Sequence, residues 1–423
     1  ERAFADGRAR IAPQLPLVVV DDTLVALGRL ATSRRQRLRG PLIAVTASNG
    51  KTTIKEMTAS ILRAEAALHG TTPLALSADP DAFAAAAAAS VLATPGNLNN
   101  EVGVPLTLLS LTAAHRYAVI EMGMNHAGEI ARLTRIAQPD IAVIGNAGVA
   151  HLANLGSREA VAAAKGEIFE GIRPGGSAVI NADDRFADFW RDLAGAARVL
   201  DFGLEDSAAI SARWDLDDLG ADLRLRTPLG ELQVRLGVPG LHNVRNALAA
   251  VAASISAGAG LDAVLNGLTA FTPVAGRLRV QAALNGSTLI DDSYNANPES
   301  ALAAIEVLAE RGGLRILVLG AMGELGDGSE QMHAEVGAAA RHFGVDRLLT
   351  LGAHAARASE AFGTAAQHFD DIEALVAEVR SALAPSVTVL VKGSRFMQME
   401  RVAAALRDAA PSSSAAAHAG GVH

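Results

Sequence analysis

Short apolar runs recur along the chain at intervals that leave room for a helix between them. LIAVTA, YAVIEMG, IAVIGNAG and SAVINAD occupy the first half, and LIDDS, RILVLGAMG, RLLTLG and VTVLVKGS the second. Runs of strand length that end in Gly, Asn or Asp and alternate with helical segments are what buried parallel strands with crossover helices require, because both faces of each strand are covered. The pattern predicts an α/β fold with a mostly parallel sheet. Between the two series, AAISARWDLDDLGADLRLRTPLGELQVRLGVPG alternates apolar and polar positions around turn signals at Leu219-Gly220 and Pro228-Leu229-Gly230. This predicts antiparallel hairpins that form a small edge sheet.

The stretch GLHNVRNALAAVAASISAG is strongly helical. FTPVAGRLRV follows with Pro273 and Gly276 where a linker would place them, and a fresh series of βα units begins. The expected organisation is residues 1–40 as the remnant of a further N-terminal domain, 41–275 as a central domain, 276–410 as a Rossmann-like C-terminal domain and 411–423 as a disordered tail. The tail, PSSSAAAHAGGVH, is of low complexity. In residues 1–40, LPLVVVDD predicts a strand and TLVALGRLATSRR a helix. The opening ERAFADGRAR has no initiator Met and no apolar h-region, so a fragment without a secretory signal is expected.

Composition narrows the class. The 423 residues carry 37 Lys plus Arg against 45 Asp plus Glu, a net of -8. Without a basic block to track a phosphate backbone, nucleic acid is not an expected partner. The absence of cysteine excludes disulfides and thiolate metal sites, so any metal must sit on carboxylate, imidazole or hydroxyl groups. The most apolar stretch, AFAAAAAASVLA, is alanine-dominated and shorter than the roughly 20 residues of a spanning helix. No membrane span is predicted, and a cytoplasmic location is expected.

The candidate chemistry starts at IAVTASNGKTTIKEM, residues 43–57: strand, Gly-bearing loop, Lys-Thr, helix. In that arrangement backbone N–H groups and the helix N-terminus cradle phosphate oxygens. Ser48, Asn49, Gly50, Lys51, Thr52 and Thr53 are the candidate phosphate residues, with Lys51 reaching the β/γ-phosphates and the Thr52 hydroxyl ligating Mg²⁺. A plain turn would explain Gly50 but would not call for Lys-Thr-Thr after it. Phosphoryl transfer also needs an acid on a neighbouring strand to hold the divalent ion. Glu121 ends YAVIEMG and is that candidate, its alternative being an ordinary helix-capping acid. His151 closes IAVIGNAGVAH after another strand, and Lys165 lies on a predicted helix. Taken singly, such a histidine is more often structural and such a lysine a solvated surface group.

Ten segments in order, TASNGKTTIKEM, GNLNNEVGVPLTLL, AVIEMGMNHAGEI, GNAGVAHLANLGS, AKGEIF, GLHNVRNALAA, GRLRV, DDSYNANPES, LGAMGELG and VKGS, closely resemble the Mur ligases of peptidoglycan synthesis. The resemblance implies an ATP-dependent, ADP-forming amide ligase with two Mg²⁺ ions. Thr52, Glu121 and His151 would be metal ligands, and Lys165 the lysine that the family carbamylates with CO2. Asn246 resembles the adenine-contacting asparagine, Arg277 the arginine that reaches the transferring phosphate, and Asp292 the aspartate on the ATP ribose. Helix pinning, a linker salt bridge and a turn former are their respective alternatives. Asn97, Asn99, Asn100 and Glu101 lie where the family binds its nucleotide-linked acceptor. Tyr294, Asn295, Asn297, Lys392 and Ser394 lie where the incoming amino component is held. The NANPES stretch implies UDP-N-acetylmuramoyl-tripeptide and D-alanyl-D-alanine as substrates, and a monomer is expected. Two departures accompany the likeness. Ala47 replaces a usual glycine, with tolerance expected, and only the tail of the family's N-terminal UDP-binding domain is present. A folylpolyglutamate synthase-like ligase and an inactive nucleotide-binding remnant are the alternatives.

Overall fold

The computed structural model describes residues 18–69, 80–148 and 152–407. Strands β1 (Leu42–Thr46), β2 (Val91–Ala93), β3 (Tyr117–Glu121), β4 (Ile141–Ile144), β5 (Ser177–Asn181) and β6 (Arg198–Phe202) form a parallel sheet. Its order is β2-β3-β1-β4-β5-β6. β1 shows why its sequence is continuously apolar. Ile43 and Val45 pack on one face with the helices Lys51–Leu68 and Leu241–Ser256, while Leu42 and Ala44 pack on the other with the helices Gly103–Leu109 and Glu129–Ala137. Neither face meets water.

The predicted hairpins are β7 (Ser211–Asp217), β8 (Gly220–Thr227) and β9 (Gly230–Leu236), an antiparallel sheet bridged to the edge strand β6 through Phe202 and Ile210. A second six-stranded sheet contains β10 (Arg279–Ala282), β11 (Thr288–Asp292), β12 (Leu314–Gly320), β13 (Arg347–Leu351), β14 (Ala366–Phe369) and β15 (Val387–Lys392). It runs β10-β11-β15-β12-β13-β14, with only β10 antiparallel among these described strands. Apolar clusters cover both of its faces. Among the described residues no helix is long and apolar enough to cross a membrane.

Two local readings are corrected. Val18–Asp22, the described part of LPLVVVDD, is not a strand: Val18 and Val19 are exposed, and the Asp22 carboxylate accepts from Leu24 and Val25 N–H as the cap of the helix Thr23–Arg35. A β-branched run becomes a strand only where a partner satisfies its backbone, and no described residue pairs with it. The end of GRLRV, in contrast, joins the second sheet as β10 instead of remaining linker. The tail 411–423 and residues 1–17 lie outside the described residues.

The helix Thr23–Arg35 is locked to the first sheet through charge. Arg35 is buried, donates from Nε to Ala137 O at 2.9 Å, and pairs with Asp140 at 2.6 Å. The same Asp140 oxygen accepts Leu42 N–H at 2.8 Å, at the start of β1. Asp140→Ala removes the counter-charge of a buried guanidinium and strands an N–H group. It should lower unfolding free energy by about 2–3 kcal/mol, measured as a shifted urea midpoint with unchanged slope.

Candidate active site

β1 and β4 are neighbours from which the chain departs in opposite directions across the sheet, so their C-terminal loops flank the crevice where α/β sheets bind ligands. The loops are laced together. Ser48 N–H donates to Asn146 O at 3.0 Å, Asn49 N–H to Asn146 Oδ1 at 2.9 Å, and Gly148 N–H to Ser48 Oγ at 2.8 Å. The helix Lys51–Leu68 then begins at Gly50, which has φ 84° and supplies no side-chain cap. Its first N–H groups therefore point, uncapped, toward the cleft with the positive end of the helix dipole. A Cβ at Gly50 would stand 2.2 Å from Asn246 Oδ1, so glycine is required by both conformation and space. Ala47 is accommodated because its neighbour is Gly145, where an added Cβ would lie 2.9 Å from the Ala47 methyl.

Lys51 and Thr52 leave this loop in different directions. Lys51 Nζ donates to Ala47 O at 2.7 Å and Ser48 O at 3.3 Å, folded over its own loop. Burial lowers its pKa; Glu121 opposes the shift, Arg277 adds to it and Glu324 opposes it. Thr52 Oγ1 donates to Glu121 Oε2 at 3.0 Å, and Asn99 Nδ2 to Glu121 Oε1 at 2.8 Å. Thus the strand-tip acid and the loop hydroxyl meet, as their neighbouring strands predicted.

The second sheet delivers the opposite wall. Asp292 and Lys392 end the paired strands β11 and β15, and their side chains form an ion pair of 2.5 Å. Burial raises the Asp292 pKa, opposed first by Lys392. Arg277 reaches across, donating to Thr52 Oγ1 at 3.3 Å while lying 3.9 Å over the Tyr294 ring. Asn297 caps the helix Pro298–Ala309 and donates to Asn49 Oδ1 at 2.7 Å. Ser394 Oγ donates to Ala296 O at 2.9 Å. The resulting cleft, about 960 Å³, is lined by both walls.

Every predicted site residue among the described ones lines this cleft except Glu101 and Lys165. Glu101 turns away to pair with Arg132. Lys165 is buried beneath the cleft, 2 % exposed, without a hydrogen bond or ion pair to a described residue. Burial first, then the charge of Lys51, holds its pKa well below the ordinary value. His151 lies outside the described residues. Cleft residues that the motif reading passed over include Arg158, His242, Glu299 and Glu324. Arg158 and Glu299 pair at 3.4 Å across the two walls. His242 is pushed down to about 4 by burial, then by Lys392 and Arg245. Their signal was present in strand-end and HN-type segments, but which of their side chains face inward is set by packing.

Residues 45–254 match the Mur ligase middle domain, and residues 276–395 the domain described as Mur ligase, glutamate ligase domain. The chain is 42% identical over 398 residues to the UDP-N-acetylmuramoyl-tripeptide--D-alanyl-D-alanine ligase of Escherichia coli (strain K12), covering 93% of this chain and 83% of that one. It belongs to the Mur ligase family. A crystal structure of MurF from Acinetobacter baumannii superposes with a TM-score of 0.81 at 36% identity, over 93% of this Mur ligase and 82% of that chain. The MurF ligase of Thermotoga maritima, crystallised in complex with ADP, gives 0.80 at 26% identity, over 96% and 90%.

Gly50→Ala in this Mur ligase imposes a left-handed backbone on a residue with a Cβ, at about 1–2 kcal/mol, and a clash with Asn246. Relief requires the loop to move. Nucleotide affinity should fall at least about tenfold by titration calorimetry, with the melting temperature showing that the fold survives.

Proposed function

We propose that this chain is an ATP-dependent, ADP-forming amide ligase that joins D-alanyl-D-alanine to UDP-N-acetylmuramoyl-tripeptide. The observation that carries the reading is the meeting of Thr52, Glu121 and Arg277 at one point, where the phosphate loop, a strand-tip acid and a cation from the opposite wall converge. The acceptor's peptide carboxylate attacks the γ-phosphate of ATP, and the resulting acyl phosphate is attacked by the dipeptide amine with loss of phosphate. Lys51 and Arg277 offset the charge crowded at the transferring group. Asn246, beside Gly50, contacts the adenine, and Asp292 the ribose. Asn97, Asn99 and Asn100 border the acceptor, and Tyr294, Asn295, Lys392 and Ser394 the incoming dipeptide. Residues 41–275 hold the nucleotide and 276–410 close over it, excluding water. In this reading the enzyme works as a monomer in the cytoplasm.

Two Mg²⁺ ions, when bound, would supply further charge neutralisation at the transferring phosphate. The Thr52 hydroxyl and Glu121 carboxylate, 3.0 Å apart, are hard oxygen donors that suit the first. Lys165 and His151 are read as holding the second. An ammonium at Lys165 would repel it. Buried beside Lys51, however, Lys165 favours its neutral amine, the form that adds to CO2, losing a proton and leaving an anionic carbamate. The folylpolyglutamate synthase alternative is not favoured, given 42% identity to a D-alanyl-D-alanine-adding ligase.

ADP release should require both UDP-N-acetylmuramoyl-tripeptide and D-alanyl-D-alanine; nucleotide binding without such release would instead identify an inactive remnant. Lys165→Ala should lower turnover at least about 100-fold, with partial rescue by a short-chain carboxylate. Near-normal rates would remove the carbamate from the scheme.

A further inference from the structure

The ligase scheme above assigns no role to LGAMGELG, the segment that leaves β12. The end of β12 lies beside Lys392 of β15, which in turn pairs with Asp292 of β11, so this loop shares the cleft's second wall with both. Glu324 lines the cleft and adopts φ 62°. A left-handed backbone at a residue with a Cβ persists only where its surroundings over-determine it, and such residues gather at functional sites. Those surroundings are present. Met322 N–H donates to Nε2 of the fully buried His333 at 2.8 Å, and His333 Nδ1 donates to Ser329 O at 2.7 Å. Gly323 N–H donates to Ser394 Oγ at 2.8 Å, and Ser394 N–H to Ala321 O at 3.1 Å. The backbone leading into Glu324 is pinned, and its carboxylate is within electrostatic reach of Lys51 on the opposite wall.

The reaction needs an anion on this side. An α-amino group with an ordinary pKa of about 7.7–8.0 enters mostly as ammonium at pH 7, and an ammonium has no lone pair with which to attack. Lys51 and Arg277 opposite, and Lys392 and Arg395 on the same wall, are cations that would repel it. We propose that Glu324 holds the incoming ammonium and takes one proton from it. The freed nitrogen then forms a bond to the acyl carbon as the carbon–oxygen bond to phosphate breaks. A second proton leaves the nitrogen with the departing phosphate as hydrogen phosphate, and Glu324 returns the first to water. This inference rests on the ligase reading.

The experiment compares Glu324→Gln with the native chain, using ATP, UDP-N-acetylmuramoyl-tripeptide and either D-alanyl-D-alanine or hydroxylamine as nucleophile. Hydroxylamine is uncharged at pH 7 and traps the acyl phosphate without needing a base. The variant should couple the dipeptide about 100-fold more slowly at pH 7, yet form hydroxamate within about twofold of the native rate, which also shows that it is folded. Its dipeptide rate should climb about tenfold from pH 7 to 9 as free amine accumulates. An undiminished dipeptide rate, an equal loss with both nucleophiles, or no recovery at high pH would overturn the role of Glu324. Failure of the native chain to form hydroxamate would sink the ligase reading itself, and this inference with it.

Discussion

A helix that starts on an uncapped glycine leaves its first N–H groups for something outside the chain to satisfy, and the site is built around that constraint. The helix Lys51–Leu68 cannot shift to escape it. It is packed between the first sheet and the helices Leu241–Ser256 and Leu261–Thr269, where a Cβ at Gly267 would come 2.4 Å from Ile61 Cα. With the helix held and Asn246 pressed against Gly50, the anion-binding end is fixed in place before any nucleotide arrives. Fixed donors cost little reorganisation when charge develops, which is why a rigid loop on a buried strand suits phosphoryl transfer.

The opposing wall is attached more lightly. Arg158 and Glu299 are 41% and 33% exposed as they pair across the cleft, and exposed pairs of this kind contribute about 0–1 kcal/mol. The Asn49–Asn297 and Arg277–Thr52 contacts are likewise single hydrogen bonds. Each wall has its own pair of apolar clusters. Strong cohesion within each wall and weak contacts between them are the physical conditions for a cleft that opens to admit substrates and closes to exclude water.

Legibility in the sequence followed burial. The strands covered on both faces stood out as apolar runs, whereas β6, with Arg198 exposed, and the short β14 carried too little apolar signal to be singled out, and β2 was hidden at the end of an alanine-rich run that reads as helix. β10 is an edge strand of four residues whose partner, β11, is what makes it a strand. The reverse happened at Val18–Asp22, where strong β propensity met no partner among the described residues. Among site residues, those carried by a local motif were legible: Gly50, Lys51 and Thr52 on the loop, Glu121 at a strand tip. Glu324 and His242 were not given roles, since nothing in the neighbouring residues says that a loop will be turned inward by His333 or that an imidazole will be held near Lys392.

The amino-acid order alone thus determined the α/β class, the strand, glycine loop and helix at residues 43–57 and the identity of the charged groups, because these depend on residues adjacent in the chain or on one face of one element. Only the tertiary structure decided that Glu121 meets Thr52, that Arg277 crosses to the same point, and that Lys165 is buried where its pKa falls well below the ordinary value. Those outcomes depend on distance and desolvation between segments far apart in sequence, quantities that exist only once the two sheets have packed.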